Sequence, residues 1–138
     1  MSVSGRKTAE IAVNTSKAAR FFGLTPKVAL LSYSNFGSVR NADLERIRQA
    51  RRLLREREPE LMMDGEMQGH LALNTVLRQR DFPFCELEGE ANVLIFPNLH
   101  ASNNAYRLLS ELSECEIVGP ILMGMDKPVN VLSQEARV

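Results

Sequence analysis

Short continuous apolar runs, separated by segments of helical periodicity, are what most constrains the fold of this chain. The clearest run is Lys27-Val28-Ala29-Leu30-Leu31-Ser32-Tyr33, which follows Pro26 and leads into a polar loop containing Gly37. A strand with one face in water alternates apolar and polar residues, whereas a strand covered on both faces reads as an unbroken apolar run. This segment is of the second kind. Leu61-Met62-Met63 running into Asp64-Gly65-Glu66, Asn92-Val93-Leu94-Ile95-Phe96 ending at Pro97-Asn98, and Cys115-Glu116-Ile117-Val118 ending at Gly119-Pro120 repeat the pattern. Four such runs alternating with helical segments predict an α/β protein, a three-layer sandwich in which helices cover both faces of a mainly parallel sheet.

The helical segments differ in clarity. Residues 8–22 carry Ile11, Thr15, Ala18, Ala19 and Phe22 at helical spacing, with Gly23 and Pro26 as the stop. Residues 40–58 place Leu44, Ile47, Ala50 and Leu54 on one stripe among seven arginines and four acids. A solvated face knit by i,i+3 and i,i+4 ion pairs accounts for these charges, and an anion-binding arginine patch is the functional alternative. Residues 67–80 read as a looser helix, and Ala101, Ala105, Leu108, Leu109 and Leu112 mark the last one. Residues 81–90 hold four acids, no base and Phe82-Pro83-Phe84, which predicts a surface excursion with its aromatics tucked against the body. No helix closes the chain after Gly119, and an uncovered tail predicts that the chain is part of something longer.

Composition removes several functions. The chain of 138 residues is 44% hydrophobic, which is one globular domain and not a disordered segment. No apolar stretch approaches the roughly 20 residues of a membrane span. Basic and acidic residues balance at 17 each, without the excess that neutralises nucleic-acid phosphates. No apolar leader core follows Met1, which predicts a cytoplasmic chain. Cys85 and Cys115 are too few for a disulfide framework and read as free thiols, Cys115 as a small buried residue opening its strand. His70 and His100 have no ligand spacing, so no metal site is expected.

Open α/β sheets bind ligands outside the carboxyl ends of their strands, where loops and helix N-termini converge. The loop Ser32-Tyr33-Ser34-Asn35-Phe36-Gly37-Ser38 offers hydroxyls, an amide and a glycine just before a helix. It suits a phosphate or carbonyl cradle, and equally a helix N-cap built on Ser38 or Asn41. Asp64 and Glu66 could orient a substrate or act as a base; capping the following helix is the simpler account. Asn98 reads as a helix cap, and Asn103 and Asn104 lie near the same helix start. From the residues alone, the crevice suits an anionic or amide-bearing ligand.

Four ordered motifs carry a resemblance. Leu30-Leu31-Ser32-Tyr33-Ser34-Asn35-Phe36-Gly37-Ser38, Asp64-Gly65-Glu66-Met67-Gln68, Gly89-Glu90-Ala91-Asn92-Val93-Leu94-Ile95-Phe96-Pro97-Asn98-Leu99 and Gly119-Pro120-Ile121-Leu122-Met123-Gly124 resemble, in order and spacing, the phosphate acetyl/butyryltransferase family. Asn35-Phe36-Gly37 and the asparagine in Phe96-Pro97-Asn98-Leu99 are most similar to the C-terminal phosphotransacetylase-like domain of bacterial NADP-dependent malic enzymes. The resemblance implies a two-lobed α/β fold that moves an acyl group between coenzyme A and phosphate. It makes residues 1–126 the second lobe and residues 127–138 the start of the return into a first lobe absent from this chain.

The family's catalytic serine aligns with Ser133, but its partner arginine is Gln134 here. A neutral amide cannot replace a bidentate, permanently charged phosphate clamp. The resemblance therefore implies a sensor of acetyl-CoA or acyl phosphate that also drives homo-oligomer formation, with a ligand set of Ser32, Ser34, Asn35, Gly37, Ser38, Ser133 and Gln134. It implies no metal in this region, with NADP and a divalent metal held elsewhere in a malate-oxidising parent, and neither nucleic acid nor membrane as partner. A fragment of an active phosphate acetyltransferase and a ligand-free α/β interaction module are the alternatives.

Overall fold

A computed structural model describes residues 4–127 and residue 129. The element order is α1 (Gly5–Phe21), β1 (Lys27–Leu31), α2 (Ala42–Arg57), β2 (Met62–Met67), α3 (Gly69–Leu73), α4 (Thr75–Asp81), β3 (Val93–Ile95) and α5 (Leu99–Leu112). The strands form one parallel sheet in the order β2-β1-β3.

The unbroken apolar run is the central strand. Val28 and Leu30 point into a core with α1 and α2, while Ala29 and Leu31 point into a second core with α3 and residues 85–96. Both sheet faces are covered, as a continuous run requires. The stripe Leu44, Ile47, Ala50 and Leu54 is buried as expected on α2. The loosely helical stretch divides at Asn74, whose side chain accepts from Leu77 N at 2.9 Å and starts α4.

The buried face of α1 differs from the expected stripe. Gly5, Thr8, Ala9, Ala12, Ser16 and Ala19 face inward, and Ile11, Phe21 and Phe22 face out. Close approach is the reason. A Cβ on Gly5 would lie 2.6 Å from the Arg46 carbonyl oxygen and 2.5 Å from Gln49 Oε1, so α1 meets α2 through its smallest residues.

Residues 81–90 form the expected excursion. Phe82 is half-buried and Phe84 exposed, and their rings meet Phe36 tilted and edge-on, with centroids 5.1 and 5.2 Å away. Arg78 anchors the excursion from beneath. Its buried guanidinium donates to the carbonyls of Leu71, Ala72, Leu87 and Gly89, which satisfies a buried cation without a carboxylate.

The expected fourth strand does not form. Residues 114–120 are exposed and carry no ladder, Cys115 included, so its thiol is not the small core group anticipated. A strand needs an edge to pair with and a layer to cover it, and α5 buries none of its residues. Among the described residues no helix is long and apolar enough to cross a membrane.

Candidate functional site

The chain leaves β1 at Leu31 and turns sharply through residues 32–39. Phe36 (φ 46°) and Gly37 (φ 93°) are consecutive left-handed residues, which folds the loop back over the end of β2. Each backbone N–H from Ser34 to Val39 then finds a partner. Ser34 N–H donates to Ser32 Oγ (3.2 Å), Asn35 N–H to Ser38 Oγ (3.0 Å) and Phe36 N–H to the Glu66 carbonyl (2.8 Å). Gly37 N–H donates to Glu66 Oε1 (3.0 Å), Ser38 N–H to the Asn35 carbonyl (3.0 Å) and Val39 N–H to Ser34 Oγ (3.2 Å).

The loop is thus a cradle whose anion is the chain's own Glu66. Besides Gly37 N–H, its carboxylate accepts from Ser34 Oγ (2.9 Å) and from Arg48 through Nε (2.8 Å) and Nη2 (2.7 Å). Burial pushes the Glu66 carboxyl up, but Arg48, Ser34 and Gly37 N–H together hold it below the usual glutamate value. The hydrogen bond to Glu66 raises Arg48 in turn. The cap of α2 is Asn41, which accepts from Leu44 N (2.9 Å), and not Ser38.

Asp64 and Glu66 do not cap the following helix. Both lie within β2, 1% exposed, and the N-cap of α3 is Gln68, which makes no side-chain cap bond. Asp64 accepts from Arg51 Nε (2.7 Å), from the Glu86 N–H (2.8 Å) and from the Gly65 N–H (2.9 Å). Glu66 owes its aim to a bulge: Leu30 pairs with Gly65 and Leu31 with Met67, so Glu66 has no partner on β1 and turns toward the loop.

These pairs rewrite the arginine-rich helix. Arg46 with Asp43 (2.8 Å) and Arg48 with Glu45 (3.7 Å) are the expected i,i+3 surface pairs. Arg48 and Arg51 also reach across to the strand carboxylates, and Arg55 pairs with Glu86. An open anion-binding patch is not what results, because the arginines of this face meet carboxylates of the chain itself. The helix half of this arrangement was present in the spacing, since Arg48 and Arg51 are three apart on a helix and share a face, whereas the aim of Glu66 depends on the bulge.

The crevice itself lies between the ends of β1 and β3, under the first turns of α1 and α2. It is a cavity of about 130 Å³ bordered by Ser32, Tyr33, Arg46, Pro97 and Asn98. Asn98 caps α5, accepting from Ala101 N (2.9 Å), as its position predicts. Of the expected ligand set, Ser32 borders this cavity. Ser34 Oγ and the Gly37 N–H are taken by Glu66, the exposed Ser38 hydroxyl bonds Ser34 Oγ (3.0 Å) and the Asn35 N–H, and Asn35 exchanges hydrogen bonds with Gln68 (2.8 and 3.1 Å). Ser133 and Gln134 lie outside the described residues. His70 and His100 are exposed, and no group of three metal-ligating side chains occurs among the described residues. Cys85 is half-buried, and burial pushes its thiol up to about 11.

Comparison with known proteins agrees with the motifs. The family model described as phosphate acetyl/butaryl transferase matches residues 4–138. The NADP-dependent malic enzyme of Escherichia coli is 48% identical over 131 residues, covering 94% of this chain and 17% of that protein. The phosphate acetyltransferase of Bacillus subtilis is 40% identical over 126 residues, covering 91% of this chain and 39% of that protein. Among solved structures, the EutD phosphotransacetylase from Staphylococcus aureus superposes with a TM-score of 0.90 at 37% identity, over 97% of this chain and 42% of that one. The chain therefore spans less than half the length of each of these relatives. With a family model matched from residue 4 to the last residue and a fold shared with a solved phosphotransacetylase, the chain belongs to the phosphate acetyl/butaryl transferase family.

Proposed function

We propose that this chain is the phosphotransacetylase-like region of a cytoplasmic NADP-dependent malic enzyme, and that it binds acetyl-CoA without transferring the acetyl group. In this reading the parent oxidatively decarboxylates malate to pyruvate, with NADP and a divalent metal held outside this region. Residues 1–126 are the second lobe and residues 127–138 begin the return to the first. Ser32 meets the ester at the crevice, Ser34, Asn35, Gly37 and Ser38 form the wall behind it, and Ser133 and Gln134 complete the set.

The observation that carries binding without turnover is the state of the two buried carboxylates beside the loop. Asp64 and Glu66 are each gripped by an arginine and by backbone N–H groups, which leaves neither free to take a thiol proton. Gln134 in place of the family arginine points the same way, since acyl transfer needs a fixed cation for the phosphate. The 48% identity to a malic enzyme supports the parent. Exposed Leu99, Leu108, Leu109 and Leu112 on α5 support a role in oligomer formation.

Likeness to solved phosphotransacetylases favours a second reading, a fragment of an active acyltransferase. Titrating the chain with acetyl-CoA, and trapping any acetyl phosphate formed with inorganic phosphate as hydroxamate, separates the two. Saturable binding with no acetyl phosphate, from the natural chain or from Gln134→Arg, is the expected result. Turnover by the natural chain would establish the second reading. An oligomer that binds no ester would leave an interaction module.

A further inference from the structure

The cradle at residues 34–39 has the makings of an anion site, and it is already full. Two left-handed residues aim the Gly37 N–H inward, a serine hydroxyl stands beside it, and a guanidinium closes the far side. Such groups would bind a phosphate oxygen from solvent if nothing else did. Here a bulge in β2 delivers Glu66 into the position instead. An incoming phosphate finds no unpartnered backbone N–H between Ser34 and Val39.

We propose that Glu66, gripped by Arg48, is a positioning residue for ester binding: it occupies the loop's own anion cradle and so fixes the wall from which Ser32 meets the ligand. The inference rests on the acetyl-CoA reading above and adds a mechanism to it. Two links connect the carboxylate to the crevice. Glu66 Oε1 holds Ser34 Oγ and the Gly37 N–H, and the Ser34 N–H in turn donates to Ser32 Oγ, which borders the cavity. Arg48 ties the same wall to the next segment by donating to the Val39 carbonyl (2.6 Å). The loop geometry thus depends on one carboxylate, and the Ser32 hydroxyl at the crevice lies two hydrogen bonds from it, through Ser34.

Asp64 supplies an internal control. It lies on the same strand, is equally buried, and pairs with an arginine of the same helix, yet its remaining bonds go to Glu86 and Gly65 and none to the loop. A purely structural role would make the two carboxylates interchangeable.

The test compares Glu66→Gln with Asp64→Asn in the same chain, reading acetyl-CoA affinity and amide exchange at Gly37 and Val39. The glutamine amide must turn an N–H toward either Arg48 or the loop donors, so we expect an affinity loss of about tenfold and loss of Gly37 protection. Asp64→Asn loses comparable stability but keeps both readouts near the natural values. Arg48→Lys, which retains the charge without the bidentate grip, moves both in the direction of Glu66→Gln by less. Unchanged affinity and protection in Glu66→Gln, or equal losses in Asp64→Asn, would overturn the proposal. If the natural chain binds no acetyl-CoA, the ester reading fails by itself, and Gly37 protection alone still decides whether Glu66 sets the loop.

Discussion

Replacing Gly65 with alanine tests the geometry that brings Glu66 to the loop. Gly65 has φ of 144°, a region open to glycine and strained for other residues. An added Cβ would lie 2.5 Å from the Leu30 carbonyl oxygen and 2.8 Å from the Leu30 Cβ. Leu30 is fully buried in the central strand between β2 and β3, so neither atom can step aside. Backbone strain of about 1–3 kcal/mol and a similar overpacking cost give a total of roughly 2–6 kcal/mol. Against a domain stability of about 5–15 kcal/mol, that is a large fraction. At about 3 °C per kcal/mol for a chain of this size, melting should fall by roughly 6–18 °C. Urea unfolding followed by circular dichroism measures the loss, with Gly69→Ala as control, since a Cβ there meets nothing within 4 Å. A Gly65→Ala chain within about 1 kcal/mol of the natural one would refute the reasoning, because that is less than the strain alone.

Acid should act through Glu66. Its folded value lies below the ordinary 4.5, so its ion pair contributes stability above pH 4.5 that disappears as pH falls through the lower folded value. Glu66→Gln should therefore lose stability at neutral pH and show a shallower decline in acid, and an unchanged acid limb would count against the pair. The two thiols should separate at pH 8: an aromatic disulfide reagent modifies exposed Cys115 promptly, while half-buried Cys85, with its thiol raised to about 11, reacts slowly until the chain is unfolded. Two equally fast thiols would contradict the packing of residues 85–96.

What could be read in the sequence follows from which force sets each feature. The central strand and the buried stripe of α2 are set by hydrophobic burial, and burial leaves a periodic trace, so both stand where the pattern puts them. The inward face of α1 is set by how near two helices can come. That favours glycine, alanine and serine over Ile11 and Phe22, and a search for large apolar residues selects the wrong side. The run at Cys115 has the composition of a strand and lacks a covering layer among the described residues, which a local window cannot register. The composition of the loop suited a phosphate or carbonyl cradle and a helix N-cap equally. That its anion is Glu66 depends on a one-residue bulge and on a contact spanning 29 positions, and neither leaves a local trace.

The molecule carries two kinds of surface. Along α2 and β2, and in the adjoining excursion, the carboxylates Asp64, Glu66 and Glu86 each face an arginine, so this side is near neutral and offers an outside anion little gain over water. On α1 and α5 the large apolar residues are left over: the small face of α1 is used against α2, which leaves Phe21 and Phe22 outward, and α5 buries none of its leucines. Apolar side chains gain by leaving water wherever a partner surface exists, whereas a paired charge gains little. On the proposed reading, α1 and α5 are the surfaces for association, and Glu66 on β2 governs ligand geometry. Because these surfaces share no residues, substitutions on α5 should change assembly without moving acetyl-CoA affinity, and substitutions at Glu66 should do the reverse.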